Sequence, residues 1–168
     1  GMEKEITEVY CGNGRGKTTL AIGQALRASS QGKSVIIIQF LKGNERRELD
    51  FLEELDQLDI KIFRFEKMES CYDQLNEEEQ AEEERNILNG LNFARKVIAT
   101  QECDFLVLDE ILGLLDKHIA TVDMVVGLLK QKDESMHLIL TGNRVDPGIL
   151  DYVDSVTTIT TLGREQNS

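Results

Sequence analysis

The chain has 168 residues, 40% of them hydrophobic and 30% charged, and this composition is typical of a water-soluble globular protein. No apolar run approaches the roughly 18 residues that cross a membrane, and the amino-terminal residues lack a charged-then-apolar signal pattern, so we expect a cytoplasmic protein with no membrane contact. The net charge of −12 argues against a nucleic-acid partner, because phosphate backbones are bound by many Lys and Arg side chains. The length predicts a single domain over residues 1–168, with Gly1 interpreted as a cloning remnant and residues 163–168 as a frayed tail.

A glycine-rich stretch is the first chemical feature along the chain. It lies between an apolar run, Ile6 to Cys11, which predicts a strand, and a segment with helical apolar spacing, Leu20 to Ala28. The stretch reads Gly12-Asn13-Gly14-Arg15-Gly16-Lys17-Thr18-Thr19. Backbone N–H groups and the helix dipole at such a turn attract anions, Lys17 adds a full positive charge, and the Thr18 hydroxyl is placed to ligate Mg²⁺.

We therefore predict a phosphate-binding loop, with one departure from the usual pattern. The strict pattern has glycine five residues before Gly16, and that position is Cys11. Either the loop is one residue tighter than usual, or Cys11 takes the first place at the strand end. The structural alternative is a glycine-rich turn that only happens to precede a lysine.

Strand and helix patterns alternate along the rest of the chain. The predicted strands are Val35 to Leu41, Ile60 to Phe65, Phe105 to Asp109, His137 to Thr141 and Val153 to Leu162. The predicted helices are Arg46 to Leu58, a helix that starts in the acidic run Glu77 to Glu84 and continues to Ile98, Val122 to Lys130, and a short helix at Pro147. The segment from Glu66 to Leu75 is predicted as a loop. This order predicts an α/β fold, a mostly parallel sheet with helices on both faces.

The acidic run Glu77 to Glu84 has two interpretations. It is either a solvated helix start, where carboxylates favour the helix dipole, or a patch for a metal ion or a basic partner. We favour the solvated helix start.

Two further segments lie at predicted strand ends, where ligands bind in open α/β sheets. Asp109-Glu110 ends an apolar strand downstream of the phosphate loop, an arrangement that places an acid beside the Mg²⁺ of a nucleotide. Thr141-Gly142-Asn143-Arg144 follows a later strand, and Arg144 is either a phosphate contact or a surface arginine. Two solvent-facing acids at a strand end are the alternative for the first segment.

The sequence offers no grouping for acid–base or nucleophilic catalysis by the protein. His118 and His137 are isolated, and Cys11 is more typical of strand-end packing than of a nucleophile. The three cysteines share no metal-like spacing, which suits a reducing compartment. We expect chemistry centred on ATP that relies on positioning and charge stabilisation.

Four motifs occur in a fixed order and carry a resemblance. They are the loop from Gly12 to Thr19, then Gln39-Phe40-Leu41-Lys42-Gly43, Leu108-Asp109-Glu110 and Leu140-Thr141-Gly142. Together they resemble the P-loop type of ATP:corrinoid adenosyltransferase (cob(I)alamin adenosyltransferase), from about Val9 to Leu162. The resemblance implies a P-loop NTPase-like, RecA-like fold and an enzyme that transfers the 5′-deoxyadenosyl group of ATP to the Co(I) of a reduced corrinoid. Members of that family bind ATP in reverse of the usual orientation, which leaves C5′ open to attack and makes triphosphate the leaving group.

The resemblance also implies roles for individual residues. Gly12, Asn13, Gly14, Arg15, Gly16, Lys17, Thr18 and Thr19 would bind the phosphates, with Lys17 as the catalytic residue that neutralises the leaving group. Thr18 and Glu110 would hold Mg²⁺ with Asp109 nearby. Gln39 and Lys42 would lie near the site, and Arg144 is a further candidate for ATP.

The predicted partners are ATP and a reduced corrinoid as substrates, a flavin-type reductase and a second copy of the chain. Thr141-Gly142-Asn143-Arg144 places its arginine one position later than the family's Thr-Gly-Arg, and Glu66 to Tyr72 lacks the family's Gly-Phe-Thr-Trp segment. Two alternatives therefore stay open. One is a P-loop ATPase or phosphotransferase, and the other is a non-catalytic regulator that binds ATP or a corrinoid.

Overall fold

The computed structural model describes residues 4–41, 54, 57–65 and 71–163. Lys42, nearly all of the helix predicted from Arg46 to Leu58 and half of the loop predicted from Glu66 to Leu75 lie outside those residues. All but the first residue of the predicted tail, 163–168, also lies outside them.

The described elements follow the predicted alternation of strand and helix. The strands are β1 (Thr7–Cys11), β2 (Val35–Gln39), β3 (Ile60–Arg64), β4 (Phe105–Asp109), β5 (His137–Thr141) and β6 (Ser155–Thr158). The helices are α1 (Lys17–Ser30), α2 (Glu77–Thr100), α3 (Gly113–Asp116), α4 (Val122–Gln131) and α5 (Pro147–Leu150), and a short 3₁₀ turn spans Tyr72–Gln74.

Among the described residues the six strands form one sheet, and every strand pair in it is parallel. Their order across the sheet is β3-β2-β4-β5-β1-β6. All strands therefore point their carboxyl ends to one edge. The register there places Gln39 of β2 opposite both Asp109 of β4 and Arg64 of β3. Polar residues that are distant in sequence thus meet at one edge.

Helices cover both faces, as predicted. On one face α1 buries Ala21, Ala25 and Ala28 against a core that includes Ile37 and Val107. On the other face α2 and α4 pack over a larger core, and the alternate strand residues face that side. Small alanines let α1 lie close to the sheet, and this brings the amino end of the helix near the strand ends.

Helix boundaries follow the capping chemistry of the sequence. The α2 helix starts with a capping box, in which Asn76 accepts from the Glu79 N–H and the Glu79 side chain accepts from the Asn76 N–H. In the acidic run Glu77 and Glu78 are exposed, which fits a solvated helix start, and Glu83 is buried. Pro147 takes the first helical position of α5, and Asp146 caps that helix through the Gly148 N–H.

Two strands, β2 and β6, are shorter than the sequence pattern indicates by two residues or more. The apolar run of β2 continues to Leu41, but β2 ends at Gln39, and Leu41 adopts a left-handed φ of 55°. The strand β6 spans Ser155–Thr158 instead of Val153 to Leu162, because its one partner β1 ends at Cys11, opposite Thr158. The hydrogen-bonding partner, and not side-chain type, therefore sets the end of β6.

Candidate active site

The glycine-rich loop connects β1 directly to the amino end of α1. Gly12 and Gly16 have φ values of 112° and 101°, in the left-handed region that side-chain-bearing residues rarely adopt. Gly16 is the N-cap of α1, where no side chain caps the helix and the first turn carries no acidic residue. The first N–H groups of a helix have no acceptor inside the helix, so this end favours an anion.

Neighbouring strand ends fix the loop in place. The Gly12 N–H donates to the Asn143 carbonyl at 2.8 Å, and the Gly14 N–H donates to the Ile159 carbonyl at 2.8 Å. A Cβ at Gly12 or Gly14 would lie 2.3 or 2.6 Å from the Ile159 oxygen. Glycine is therefore required at both positions by the close approach of the backbone after β6, a contact that local sequence does not reveal.

The Lys17 side chain folds back over the loop. Its Nζ donates to the Gly12 carbonyl at 2.6 Å and to Asn143 Oδ1 at 3.1 Å, and it lies 3.4 Å from the Gly14 carbonyl. These oxygens hold the ammonium group at the mouth of the loop, next to the amino end of α1. Asn143 was not among the predicted site residues, since Arg144 was the candidate contact within the strand-end segment Thr141-Gly142-Asn143-Arg144.

Asp109 is the centre of a buried network at the strand ends. Its Oδ1 accepts from the Thr18 hydroxyl at 2.9 Å and from the Thr141 hydroxyl at 2.7 Å, and its Oδ2 accepts from Gln39 Nε2 at 3.1 Å. Asp109, Gln39 and Thr141 are fully buried, and Thr18 is 5% exposed. The carboxylate thus links the phosphate loop to the ends of β2, β4 and β5.

Arg64 extends this network to β3. Its Nε donates to Gln39 Oε1 at 3.0 Å, which leaves the amide nitrogen of Gln39 directed at Asp109. Arg64 was missed because it ends a strand with ordinary alternation. The signal that would have found it is the register of β2 against β3, which pairs Arg64 with Gln39.

Glu110 lies just beyond the network, in a constrained backbone position. It has a φ of 65°, its N–H donates to Thr141 Oγ1 at 2.8 Å, and its carbonyl accepts from the Gly113 N–H. A Cβ at Gly113 would lie 2.9 Å from Glu110 Oε1 and 3.2 Å from Leu41 Cδ1. Gly113 therefore leaves the space in which the Glu110 carboxylate lies. A left-handed non-glycine residue at a strand end is typical of functional sites.

Arg144 lies beside the loop but points away from it. Its Nε donates to Asp116 Oδ1 of α3 at 2.8 Å, and the side chain is 80% exposed. The Asp116 carboxylate raises the pKa of Arg144. Arg144, Asp116 and His118 line a cavity of about 400 Å³ that the loops after β4 and β5 enclose. Asn143, one residue earlier, makes the contact with the loop.

The structure therefore brings together most of the predicted site residues that it describes. The loop, Lys17, Thr18, Gln39, Asp109 and Glu110 meet at the carboxyl edge of the sheet, Arg144 lies next to them, and Lys42 is outside the described residues. Their binding roles stay predictions.

Comparison with known proteins identifies the protein family of this chain. A family model described as ATP:corrinoid adenosyltransferase BtuR/CobO/CobP matches residues 3–166. The chain belongs to that family. The corrinoid adenosyltransferase of Escherichia coli (strain K12) is 30% identical over 160 residues, which cover 92% of this chain and 76% of the relative. Corrinoid adenosyltransferase CobA of Salmonella typhimurium is 28% identical, with the same coverage.

A solved structure supports the fold independently. The crystal structure of a KaiC-like protein from Pyrococcus horikoshii OT3 matches with a TM-score of 0.62 and 20% identity, over 94% of this chain and 72% of that chain. The P-loop, RecA-like fold predicted from the sequence is confirmed, as are the resemblance to the adenosyltransferase family and the enzyme class that it implied. No described helix is long and apolar enough to cross a membrane.

Proposed function

We propose that this protein transfers the 5′-deoxyadenosyl group of ATP to the Co(I) of a reduced corrinoid. The cobalt supplies an electron pair and forms a bond to C5′, the C5′–O5′ bond breaks, and triphosphate leaves with the bonding electrons. The family match over residues 3–166 is the observation that carries this proposal. The site geometry agrees with it in three respects.

The first is the electrostatics of the loop. A chain with a net charge of −12 repels a triphosphate overall, so binding requires a local positive site. The amino end of α1 has no acidic residue in its first turn, and Lys17 adds the ammonium group beside it. We propose that Lys17 exchanges its carbonyl contacts for phosphate oxygens and stabilises charge on the departing triphosphate.

The second is the set of oxygen donors beside the loop. The Thr18 hydroxyl and the carboxylates of Asp109 and Glu110 are the hard oxygen ligands that Mg²⁺ prefers, and Mg²⁺ is commonly held by one or two carboxylates together with phosphates. Among the residues the structure describes, no group of three or more His, Cys, Asp or Glu side chains forms a metal cage, so phosphates would complete the coordination. We propose that Thr18 and Glu110 hold Mg²⁺ directly, while Asp109 positions Thr18. When bound, Mg²⁺ supplies charge neutralisation to the leaving group.

The third is that the proposed reaction needs no general base. Co(I) carries no proton, so its attack on C5′ leaves none to remove. His137 lies at the opposite end of β5 from the loop, where it bonds to Glu5 and Glu8. The protein is left with two tasks, to align C5′ with cobalt and to stabilise the triphosphate.

Partners and location follow from the same chemistry. We propose that a flavin-type reductase supplies Co(I) and that the reaction takes place in the cytoplasm, where the free thiols of Cys11, Cys71 and Cys103 persist. Exposed apolar side chains near β6, including Tyr152 and Val156, offer a surface for the predicted homodimer. The net charge makes nucleic acid an unfavourable partner.

Product analysis tests the proposal. The protein is incubated without oxygen with ATP, Mg²⁺ and chemically reduced cobalamin, and both the corrinoid spectrum and the phosphate products are followed. We expect adenosylcobalamin and triphosphate in equal amounts. Formation of ADP and phosphate with no Co–C bond would instead identify an ATPase or phosphotransferase. Tight ATP binding with no product would identify a regulator.

A further inference from the structure

We propose that the backbone just after β6 forms part of the ATP site, with Thr161 as a positioning residue for the phosphate loop. The contact pair Ile159 and Thr161 is here called the loop strap. The proposal deepens the proposed function and rests on it for the identity of the nucleotide, since it concerns how the loop that binds ATP is held.

The strap makes three hydrogen bonds across the loop and its entry strand. The Ile159 N–H donates to the Cys11 carbonyl at 2.8 Å, and the Ile159 carbonyl accepts from the Gly14 N–H at 2.8 Å. The Thr161 hydroxyl accepts from the Arg15 N–H at 2.8 Å. The bonds thus hold the strand end, the middle of the loop and the residue before Gly16. No element of regular structure includes the strap, since β6 ends at Thr158.

Two of these bonds determine which backbone N–H groups of the loop remain available to a bound anion. Gly14 and Arg15 direct their N–H groups to the strap, so the anion-binding donors are concentrated at the start of α1, which begins at Lys17. If the loop bound phosphate through all of its backbone N–H groups, those of Gly14 and Arg15 would instead point to the ligand. We infer that the strap keeps the first half of the loop open and fixed while the helix end contacts the triphosphate.

Thr161 is suited to a local role of this kind. Its side chain is exposed, so the hydroxyl contributes little to the core, and the bond to Arg15 accounts for its direction. The Gly14 N–H donates to the backbone carbonyl of Ile159, a bond that a side-chain change at Thr161 does not remove. Loss of the Thr161 acceptor therefore frees Arg15 while the Gly14 contact stays.

ATP binding in the full chain tests the proposal, with three variants. Thr161→Val removes the acceptor at constant shape, and Thr161→Ser keeps it. Thr157→Val is the matched control, because Thr157 is exposed in β6 and its side chain makes no hydrogen bond among the described residues. Calorimetry with ATP and Mg²⁺ should give a dissociation constant about fivefold higher for Thr161→Val, because ATP binding must then order the Arg15 backbone that the strap no longer holds. Thr161→Ser and Thr157→Val should bind ATP as the wild type does, and the thermal midpoint of Thr161→Val should fall by no more than about 4 °C, the effect of one hydrogen bond in a domain of this size.

Two outcomes would overturn the proposal: unchanged ATP affinity in Thr161→Val, or an equal loss of affinity in Thr157→Val. Binding is measured without a corrinoid, so the strap and the proposed function fail separately. A wild-type protein that binds ATP but forms no Co–C bond contradicts the function alone. A wild-type protein that adenosylates cobalamin while Thr161→Val binds ATP normally contradicts the strap alone.

Discussion

The Thr18 hydroxyl donates to Oδ1 of Asp109 at 2.9 Å, and neither side chain is more than 5% exposed. This bond joins the first turn of α1 to the end of β4 in the buried centre of the site. It fixes the rotamer of the hydroxyl that is predicted to face Mg²⁺. The same carboxylate accepts from Thr141 and Gln39, so a change at Asp109 affects the ends of β2 and β5 as well as the loop.

Replacement of Asp109 by Asn should weaken both folding and magnesium-dependent ATP binding. The amide nitrogen of Asn would face either the two hydroxyls or Nε2 of Gln39, and Gln39 cannot turn over without losing its bond from Arg64. One buried donor is left unsatisfied, which costs about 1–3 kcal/mol of unfolding free energy. Urea denaturation checks this, with the exposed Asp151→Asn as control. An Asp109→Asn protein as stable as the wild type would contradict the network.

Lys17→Ala should lower kcat/KM for adenosyl transfer by about a hundredfold or more, since a charge on the leaving group loses its nearest cation. The fold should persist, because the ammonium group contacts only loop carbonyls and Asn143. Lys4→Ala is the matched control, since Lys4 lies in a surface ion pair and is 74% exposed. Steady-state kinetics of both variants measure the difference. Equal activities would remove Lys17 from the mechanism.

Gly113→Ala should displace the Glu110 carboxylate and raise the Mg²⁺ concentration needed for half-maximal ATP binding. The added Cβ would lie 2.9 Å from Glu110 Oε1, so the side chain must move. Gly127→Ala in α4 is the control, because open space surrounds that position and alanine favours a helix by roughly 1 kcal/mol. A Mg²⁺ titration of ATP binding distinguishes the two. If Gly113→Ala needs no additional Mg²⁺, Glu110 does not hold the metal.

Cys103 should make the protein less stable at alkaline pH. Burial raises the pKa of its thiol from 9.0 to about 12, so the folded state keeps a proton that the unfolded state loses first. Stability is fully present below about pH 9 and falls as the pH rises toward 12. Urea midpoints at pH 8, 9 and 10 should decline more steeply in the wild type than in Cys103→Ala. If both proteins declined in parallel, the loss of stability at alkaline pH would come from other groups, such as Tyr10, whose pKa burial also raises.

The sequence predicts the elements of this site better than their connections. The buried strands are evident because runs such as Phe105 to Leu108 are apolar throughout, and the loop is evident because glycines, Lys17 and Thr18 are adjacent in the chain. The contacts between these elements depend on the register of the strands. Arg64 reaches Gln39 only because β3 pairs with β2, and that pairing has no local signature.

The loop strap after β6 is a second feature that the sequence pattern does not predict. Apolar and threonine residues continue past Thr158, so the pattern indicates a longer strand, yet β1 has already turned into the loop and offers no further pairing. The chain bonds to the loop instead. The need for glycine at Gly12 and Gly14 also comes from this contact, and not from the loop sequence alone.

The fate of the oxygen at the 5′ position of ATP tests the central claim most directly. ATP with a heavy-oxygen label at O5′ is supplied with reduced cobalamin, and the products are analysed by mass spectrometry. Attack of cobalt on C5′ predicts that the label appears in the released triphosphate and that the corrinoid gains an unlabelled deoxyadenosyl group. Label retained on the nucleoside, in ADP or AMP, would mean that a phosphorus–oxygen bond had broken and would contradict adenosyl transfer.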